Sequence, residues 1–365
     1  MPEGHASGAA AAALPHPKLR ALLAEDWAAV DPALPPLLGL LFARSAGEDW
    51  HKAGTFKDHL LGVARILTLW DQPREVVLLG LFHSVYSNEY VDLTLFDGAG
   101  NRAELAAALG EEAERLVHTF CTMPRSEFTR RLLEADRIPE QGLALETPQG
   151  GRLHLSGRDC AVFAVATIAD IAEQWHSWQD EIFQGFPAVE PRPLRPNWAL
   201  SLWPGPLKPT ASALSLLARL ARPLRDLPPG WGIPVPPVFA RCTGALPPED
   251  EAAAAALYWQ AATRALPLAS PAPTRAALEA AAARNPWVGE PRLLLAQLAL
   301  TEGAWDAAAD HARAGLDLLA AWGVAWDKRI AWSGWVAWAR ILLQSAERRR
   351  WPETLSGLNA LGLVG

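Results

Sequence analysis

The sequence has no apolar run long enough to cross a membrane. Its longest strongly apolar stretches are Val76–Phe82 and Ala161–Ile168, whereas a membrane-spanning helix needs roughly 20 such residues. Residues 1–18 contain no arginine and no long apolar core, so they do not resemble a secretory signal. Their alanine, glycine, proline and histidine content predicts a disordered N-terminus, and no membrane partner is expected.

Cysteine is scarce, with three copies at Cys121, Cys160 and Cys242 and no Cys-Xaa-Xaa-Cys pair. The sequence therefore offers no thiolate zinc site and no thioredoxin-like motif. An odd number of widely separated cysteines favours a reducing compartment, and we predict a cytoplasmic location.

Positive charge and phosphate-binding loops are also lacking. Lys and Arg number 33 against 40 Asp and Glu, the formal net charge is -7, and no basic tract occurs. Nucleic acid is therefore not expected as a partner. The motifs of serine hydrolases, P-loop proteins, zincins and EF-hands are absent, and Gly98-Ala-Gly100 does not open a helix as a dinucleotide fingerprint requires.

Alanine and tryptophan are abundant, whereas the alternation typical of β-strands is nearly absent. Alanine has the highest intrinsic helix propensity, so an all-α fold is predicted. A length of 365 residues favours two domains. We predict a helical bundle over residues 34–185, a proline-rich connector over 186–247 and a helical-repeat array over 248–361. The connector is expected to pack on the surface in extended form, interrupted by one helix over Ala211–Leu220.

Three predicted helices in the first domain carry its candidate functional residues. Thr55 is a good N-cap with Asp58 as its capping-box partner, and it opens a helix over Phe56–Trp70. A second helix over Pro73–Tyr86 is apolar nearly all round, and a third is predicted over Arg158–Phe183. Helices with this pattern belong in the centre of a domain.

His59, His83 and Asp170 each lie on one of these helices. Asp170 has apolar neighbours in sequence, and a buried carboxylate is costly unless it is paired or ligates a cation. Two imidazoles and one carboxylate can hold Fe(II), Mn(II) or Zn(II). The sequence therefore predicts a divalent-metal site at these three residues. The alternative is that the two histidines are hydrogen-bonded structural residues of the core.

The site residues belong to a longer pattern in the first domain. It consists of His51–Thr55, His59, Leu81–Val85, Gly110–Val117 and Ala169-Asp170. In this pattern the chain resembles the HD superfamily over roughly Leu34–Phe183, and within it the hydrolase domain of the bifunctional alarmone enzymes. The string Phe82-His83-Ser84-Val85-Tyr86 is similar to an uncharacterised subgroup of that lineage. The resemblance implies an HD-like helical bundle with His59, His83 and Asp170 as metal ligands.

The chain departs from the family at its acidic residues. Ser84 stands where the family has the metal-bridging aspartate of its His-Asp pair. Ser87 and Asn88 replace the acidic pair that activates water, which leaves Glu89 as the candidate general base. We therefore predict a degenerate HD-type domain that binds at most one divalent metal. The alternative is a metal-dependent phosphohydrolase acting on a nucleotide or other phosphate ester, with Glu89 as its catalytic residue. A third hypothesis is that the site binds iron and catalyses oxygen chemistry, because some HD-fold proteins are oxygenases.

Three further polar residues lie near this pattern. Glu173, three residues after Asp170, is expected either to steer a ligand or to pair with a nearby arginine. His118 is predicted to be a partly exposed polar residue, and His176 is a candidate for contact with a metal ligand.

The last third of the chain resembles tetratricopeptide repeats over Glu290–Ala320, with Asn285-Pro286 at a repeat junction. The resemblance implies an array that binds a protein partner. A small phosphate ester is a partner only if the first domain is an enzyme. Tryptophans of this region form either the terminal core of the array or an aromatic groove for a peptide. They are Trp322, Trp326, Trp332, Trp335 and Trp338.

Overall fold

The computed structural model of the protein describes residues 14–51, 54–90, 92–98, 100–147, 150–174, 213–241, 246–264, 271–353, 357–358 and 361. This part of the chain is mostly helical, with two short hairpins and no larger sheet, which confirms the all-α prediction. Within it, no helix combines the length and apolar character that a membrane crossing needs. Most of the N-terminal segment predicted to be disordered, residues 1–13, lies outside the described residues.

The described residues up to 174 form nine helices and two antiparallel hairpins. The helices are α1 (Leu19–Leu23), α2 (Trp27–Val30), α3 (Leu34–Phe42), α4 (Phe56–Leu69), α5 (Arg74–Phe82), α6 (Arg102–Leu109), α7 (Glu111–Thr122), α8 (Arg125–Glu134) and α9 (Gly157–Gln174). The hairpins pair β1 (Trp50–His51) with β2 (Gly54–Thr55), and β3 (Leu143–Glu146) with β4 (Arg152–Leu155). Strands of two residues are too short to show the alternation of apolar and polar residues that marks a strand in a sequence.

The described residues after 212 are again helical. They form α10 (Ala213–Ala221), α11 (Pro237–Arg241), α12 (Pro248–Trp259), α13 (Pro271–Arg284), α14 (Glu290–Thr301), α15 (Trp305–Trp322) and α16 (Trp332–Glu347), with a π-helical turn over Gln260–Arg264 after α12. Each helix from α12 to α16 packs on the next, so each apolar face is buried by a neighbour.

A capping box begins α4. The hydroxyl of Thr55 accepts the backbone N–H of Asp58 at 3.2 Å, and the Asp58 carboxylate accepts the backbone N–H of Thr55 at 3.1 Å. Two of the N–H groups that a helix start leaves unpaired are thereby satisfied. The predicted start of this helix is confirmed, and His59 lies one turn beyond it.

Replacing Thr55 by alanine is expected to lower the free energy of unfolding by about 1 kcal/mol, because the cap hydrogen bond is lost. Urea unfolding of the metal-free protein measures the change. Thr122→Ala is the control, because that exposed hydroxyl bonds only to the His118 carbonyl within its own helix. An effect of Thr55→Ala no larger than that of the control would count against the cap.

Helices α4 and α5 approach closely at Gly80. A Cβ there would lie 2.3 Å from Leu67 Cδ1 and 3.1 Å from Val63 Cγ1, so a side chain would push the helices apart. α5 ends at Phe82 rather than near residue 86, and His83 is its C-cap. This close crossing places the end of α5 beside the first turns of α4.

The helix predicted within the connector is present as α10, but it is buried rather than packed on the surface. Leu214, Leu217 and Leu220 on α10 are fully buried, and α10 packs against α9. The ring of Phe239 lies 5.7 Å from that of Trp70. α10 and Phe239 therefore belong to the core, because leucines three apart give α10 an apolar face. Other residues of this segment, such as Asp226 and Pro229, are exposed. Residues 186–212 lie outside the described residues.

The C-terminal helices lie directly on α4. The Trp70 indole N–H donates to the Ala321 carbonyl at 2.8 Å, and the Arg65 guanidinium donates to the Gly323 carbonyl at 2.9 Å. A Cβ on Gly323 would lie 3.1 Å from the α4 backbone at Ile66. The buried apolar residues form one continuous cluster across both parts of the described chain. The boundaries of the two domains stay a prediction.

The tryptophans of the last third support both interpretations given to them, a buried terminal core and an aromatic groove. Trp322, Trp326, Trp332 and Trp335 are buried, as expected of a terminal core. Trp335 also borders a cavity of about 1220 Å³, which Trp305, Trp338 and Trp351 line as well. An aromatic cavity is therefore present beside the tryptophan core.

Candidate metal centre

Three packed helices bring the predicted ligands together. His59 lies in the second turn of α4, His83 caps the C-terminus of α5, and Asp170 lies near the end of α9. Both α5 and α9 pack on α4. All three side chains are deeply buried, with 4 %, 1 % and 6 % of their surface exposed.

The candidate ligand atoms form a compact triangle. Nε2 of His59 lies 3.1 Å from Nε2 of His83 and 3.4 Å from Oδ1 of Asp170, and the third side, from His83 to Asp170, is 3.6 Å. Ligand atoms at tetrahedral zinc distances lie about 3.3 Å from one another. The triangle therefore has the size of one face of a coordination sphere. Of the described residues, only these three form such a group.

Each of the three side chains also forms a hydrogen bond through the atom that faces away from the triangle. Nδ1 of His59 lies 2.7 Å from Oε2 of Glu173, and Nδ1 of His83 lies 2.7 Å from the carbonyl oxygen of Gly80. Each Nδ1 therefore donates to an oxygen, and each Nε2 can turn a lone pair toward the centre. Partners of this kind orient imidazole ligands at metal sites.

The carboxylate of Asp170 is oriented in the same way. Its Oδ2 accepts a hydrogen bond from the Arg125 guanidinium at 2.5 Å, which leaves Oδ1 facing the two histidines. Arg125 is 5 % exposed and stacks on the ring of Phe120. A buried arginine thus keeps the carboxylate ionised and directed at the centre of the triangle.

The protonation states are shaped by burial and by neighbouring charges. Burial opposes charge on His59, but hydrogen bonds to Asp170 and Glu173 outweigh it and raise the pKa of His59 to about 9. Burial lowers the pKa of His83 to about 4. Burial alone would raise the pKa of Glu173, but the hydrogen bond from His59 and nearby positive charge lower it to about 2. Without a metal, the protonated His59 therefore lies between the ionised carboxylates of Asp170 and Glu173, and a bound cation would take the place of its Nε2 proton.

A fourth side chain contacts two of the ligand atoms. The Gln174 amide nitrogen lies 2.6 Å from Oδ1 of Asp170 and 3.2 Å from Nε2 of His59. Rotating the amide by half a turn exchanges its nitrogen for its oxygen, which can face a cation.

Glu89, the candidate general base, lies outside the triangle. Its carboxylate accepts the backbone N–H of Ser126 at 2.9 Å, at the start of α8. Burial alone would raise the pKa of Glu89, but hydrogen bonds at this helix start lower it. Ser84 is buried, and its hydroxyl accepts a hydrogen bond from Asn88 at 2.8 Å.

The candidate ligands were easier to predict than the residues that support them. Of the two roles expected for Glu173, the structure supports the first, because Glu173 contacts His59 and can orient it. Arg125 was missed because nothing in its local sequence relates it to Asp170. Gln174 was also missed, although it follows Asp170 by four residues on the same helix and this spacing could have indicated it. His118 is partly exposed as predicted, and its ring lies against Tyr86. His176 lies outside the described residues.

Residues 40–125 match the model of a family described as a domain of unknown function (DUF6817). The matched segment includes His59 and His83 and ends at Arg125, whereas Asp170 lies beyond it. The third ligand therefore comes from outside the segment that the family model covers. No curated protein and no solved structure matches the chain.

Proposed function

We propose that the first half of the chain is a degenerate HD-type domain that holds one divalent metal ion at His59, His83 and Asp170. The observation that carries this proposal is the convergence of two imidazole Nε2 atoms and a carboxylate oxygen at 3.1 to 3.6 Å in the core. Two Nε2 lone pairs at that distance repel unless a proton or a cation lies between them. A metal ion satisfies all three atoms at once.

The donor set supports a single ion of Fe(II), Mn(II) or Zn(II), since two imidazoles and one carboxylate suit these metals. Ser84, at the position of the family's bridging aspartate, offers only a neutral hydroxyl that already accepts a hydrogen bond from Asn88. A second ion therefore lacks an anionic ligand here.

A metal-dependent phosphohydrolase is the second candidate, and Arg125 favours it. A bound metal lowers the pKa of a water molecule and polarises a phosphoryl oxygen. Arg125 lies beside Asp170, and its Nε–H is buried without a hydrogen-bond partner among the described residues. A guanidinium in this position suits a phosphate oxygen. Glu89 is the candidate base, but a lowered pKa makes it a weaker one.

The C-terminal helices are proposed as a tetratricopeptide-like array that binds a protein partner. Support comes from helices α12 to α16, each packed on the next, and from the tryptophan-lined cavity between them. Tryptophan is enriched where proteins bind one another.

The test of the metal site is elemental mass spectrometry of the purified full-length protein beside its His59→Ala/His83→Ala variant. We expect near-stoichiometric Fe, Mn or Zn in the wild type and almost none in the variant, because two of three ligands are gone. His118→Ala is the matched control, since this partly exposed histidine lies outside the triangle and should leave the metal content unchanged. Circular dichroism checks that each variant is folded.

A wild-type protein that takes up no Fe, Mn or Zn, even after these ions are added back, would contradict the proposal. If metal is present, phosphate release from nucleotides and other phosphate esters separates the two candidate functions. Turnover by the metal-loaded wild type, absent in the double variant, would support the hydrolase.

A further inference from the structure

We infer that the C-terminal helices complete the metal centre, with Lys328 as a positioning residue that holds Glu173 and, through it, His59. This inference rests on the proposed metal site and adds a role for the second half of the chain in it.

Lys328 lies on the loop between α15 and α16, and its ammonium reaches the end of α9. Nζ donates to the main-chain carbonyl of Glu173 at 2.8 Å. Glu173 lies on α9, next to the last residue of that helix that the structure describes. Because the donor is charged, the hydrogen bond from Lys328 to this carbonyl is a strong link between the loop and α9.

The side chain of Glu173 packs against α4. Its Oε2 accepts from Nδ1 of His59 at 2.7 Å. Gly62 on α4 lies so close that a Cβ there would be 2.7 Å from Cγ of Glu173. The side chain of Glu173 is thus bound by His59 on α4, and its main-chain carbonyl is bound by Lys328 from the C-terminal half.

Arg65 provides a second link between the same loop and α4. Its guanidinium donates to the Gly323 carbonyl at 2.9 Å and stacks 4.8 Å from the ring of Trp332. The carboxylate of Glu173 against Nδ1 of His59 fixes the orientation of that ring, with Nε2 toward the other two candidate ligands.

The loop that carries Lys328 is fixed by the helical array. The neighbouring Asp327 is fully buried and accepts the Tyr258 hydroxyl at 2.6 Å. Its own carbonyl accepts the Trp335 indole N–H at 2.8 Å, and its backbone N–H donates to Glu290 at 3.1 Å. Helices α12, α14 and α16 therefore set the place of Lys328, so the array positions a residue at the metal centre.

The experiment measures the metal dissociation constant of the full-length protein by competition with a chelator, using the metal found in the wild type. Lys328→Met is expected to weaken binding roughly 10-fold, the lower end of what removal of an outer partner does to a metal site. Lys18→Met is the control, because it removes the same charge from an exposed residue away from the site. If the methionine variant does not fold, Lys328→Gln replaces it.

A double-mutant cycle with Glu173→Ala, which removes the side chain that contacts His59, separates positioning from general destabilisation. If Lys328 acts through Glu173, adding Lys328→Met to Glu173→Ala should weaken binding little further. Additive losses, or an unchanged dissociation constant in Lys328→Met, would overturn the inference and leave the metal site intact. A wild type that binds no metal would instead overturn the proposed function on which the inference rests.

Discussion

The Asp170→Asn variant is expected to lose its metal. We also expect the free energy of unfolding of the metal-free variant to be about 3 kcal/mol lower than that of the metal-free wild type. Asp170 and Arg125 form a buried ion pair at 2.5 Å, with side chains only 9 % and 6 % exposed. Removing one charge of a buried pair leaves the other uncompensated in a medium of low polarity, which costs roughly 3–5 kcal/mol. Urea unfolding in the presence of a chelator measures the stability, and elemental analysis measures the metal.

The control for this prediction lies on the same helix. Asp159 also pairs with an arginine, but the Arg115 side chain is 42 % exposed, so water can compensate for a lost partner. Asp159→Asn should therefore cost about 1 kcal/mol or less and leave the metal content unchanged. Equal costs for the two variants would show that Arg125 is not buried as the structure has it.

Replacing Trp70 by alanine is expected to destabilise the protein by about 3–5 kcal/mol, because a large buried ring leaves a cavity. Trp70 is fully buried at the end of α4, where its indole bonds to Ala321 and its ring packs on Phe239. The loss should therefore weaken the contact between the two halves as well as the first half. Chemical unfolding followed by tryptophan fluorescence and by circular dichroism measures the stability.

Trp351→Ala is the matched control for Trp70→Ala. Trp351 is only partly buried, and its ring contacts that of Trp338 at 6.1 Å. We expect a cost of about 1 kcal/mol there, within the usual range for a partly exposed residue. A cost for Trp70→Ala as small as that of the control would contradict its role in joining the halves.

The ligands of the candidate site were predictable because their signals are local. The capping box at Thr55 sets the start of α4, and the apolar run of α5 marks His83 as buried. Asp170 is recognisable because a carboxylate among apolar residues needs a partner. The periodicity of a helix and a polar residue within an apolar helix can both be recognised from residues close together in the sequence.

Which residues these candidate ligands and their neighbours contact was not predictable from the sequence, because the contacts join residues far apart in the chain. Arg125 precedes Asp170 by 45 residues, Glu173 follows His59 by 114, and Lys328 follows Glu173 by 155. No periodicity or motif relates residues at these separations. Only the packing of α4, α8, α9 and the C-terminal loop brings their side chains together.

The amino-acid sequence by itself determined that this protein is helical, where α4 and α5 lie, and which three residues are able to ligate a metal. These features follow from helix propensity, capping and the cost of burying charge, which act over a few residues. The tertiary structure decided that α10 and Phe239 enter the core and that Lys328 reaches the helix carrying Asp170. Those outcomes depend on which apolar faces bury one another, and that is settled by the shape of the whole core rather than by any one segment.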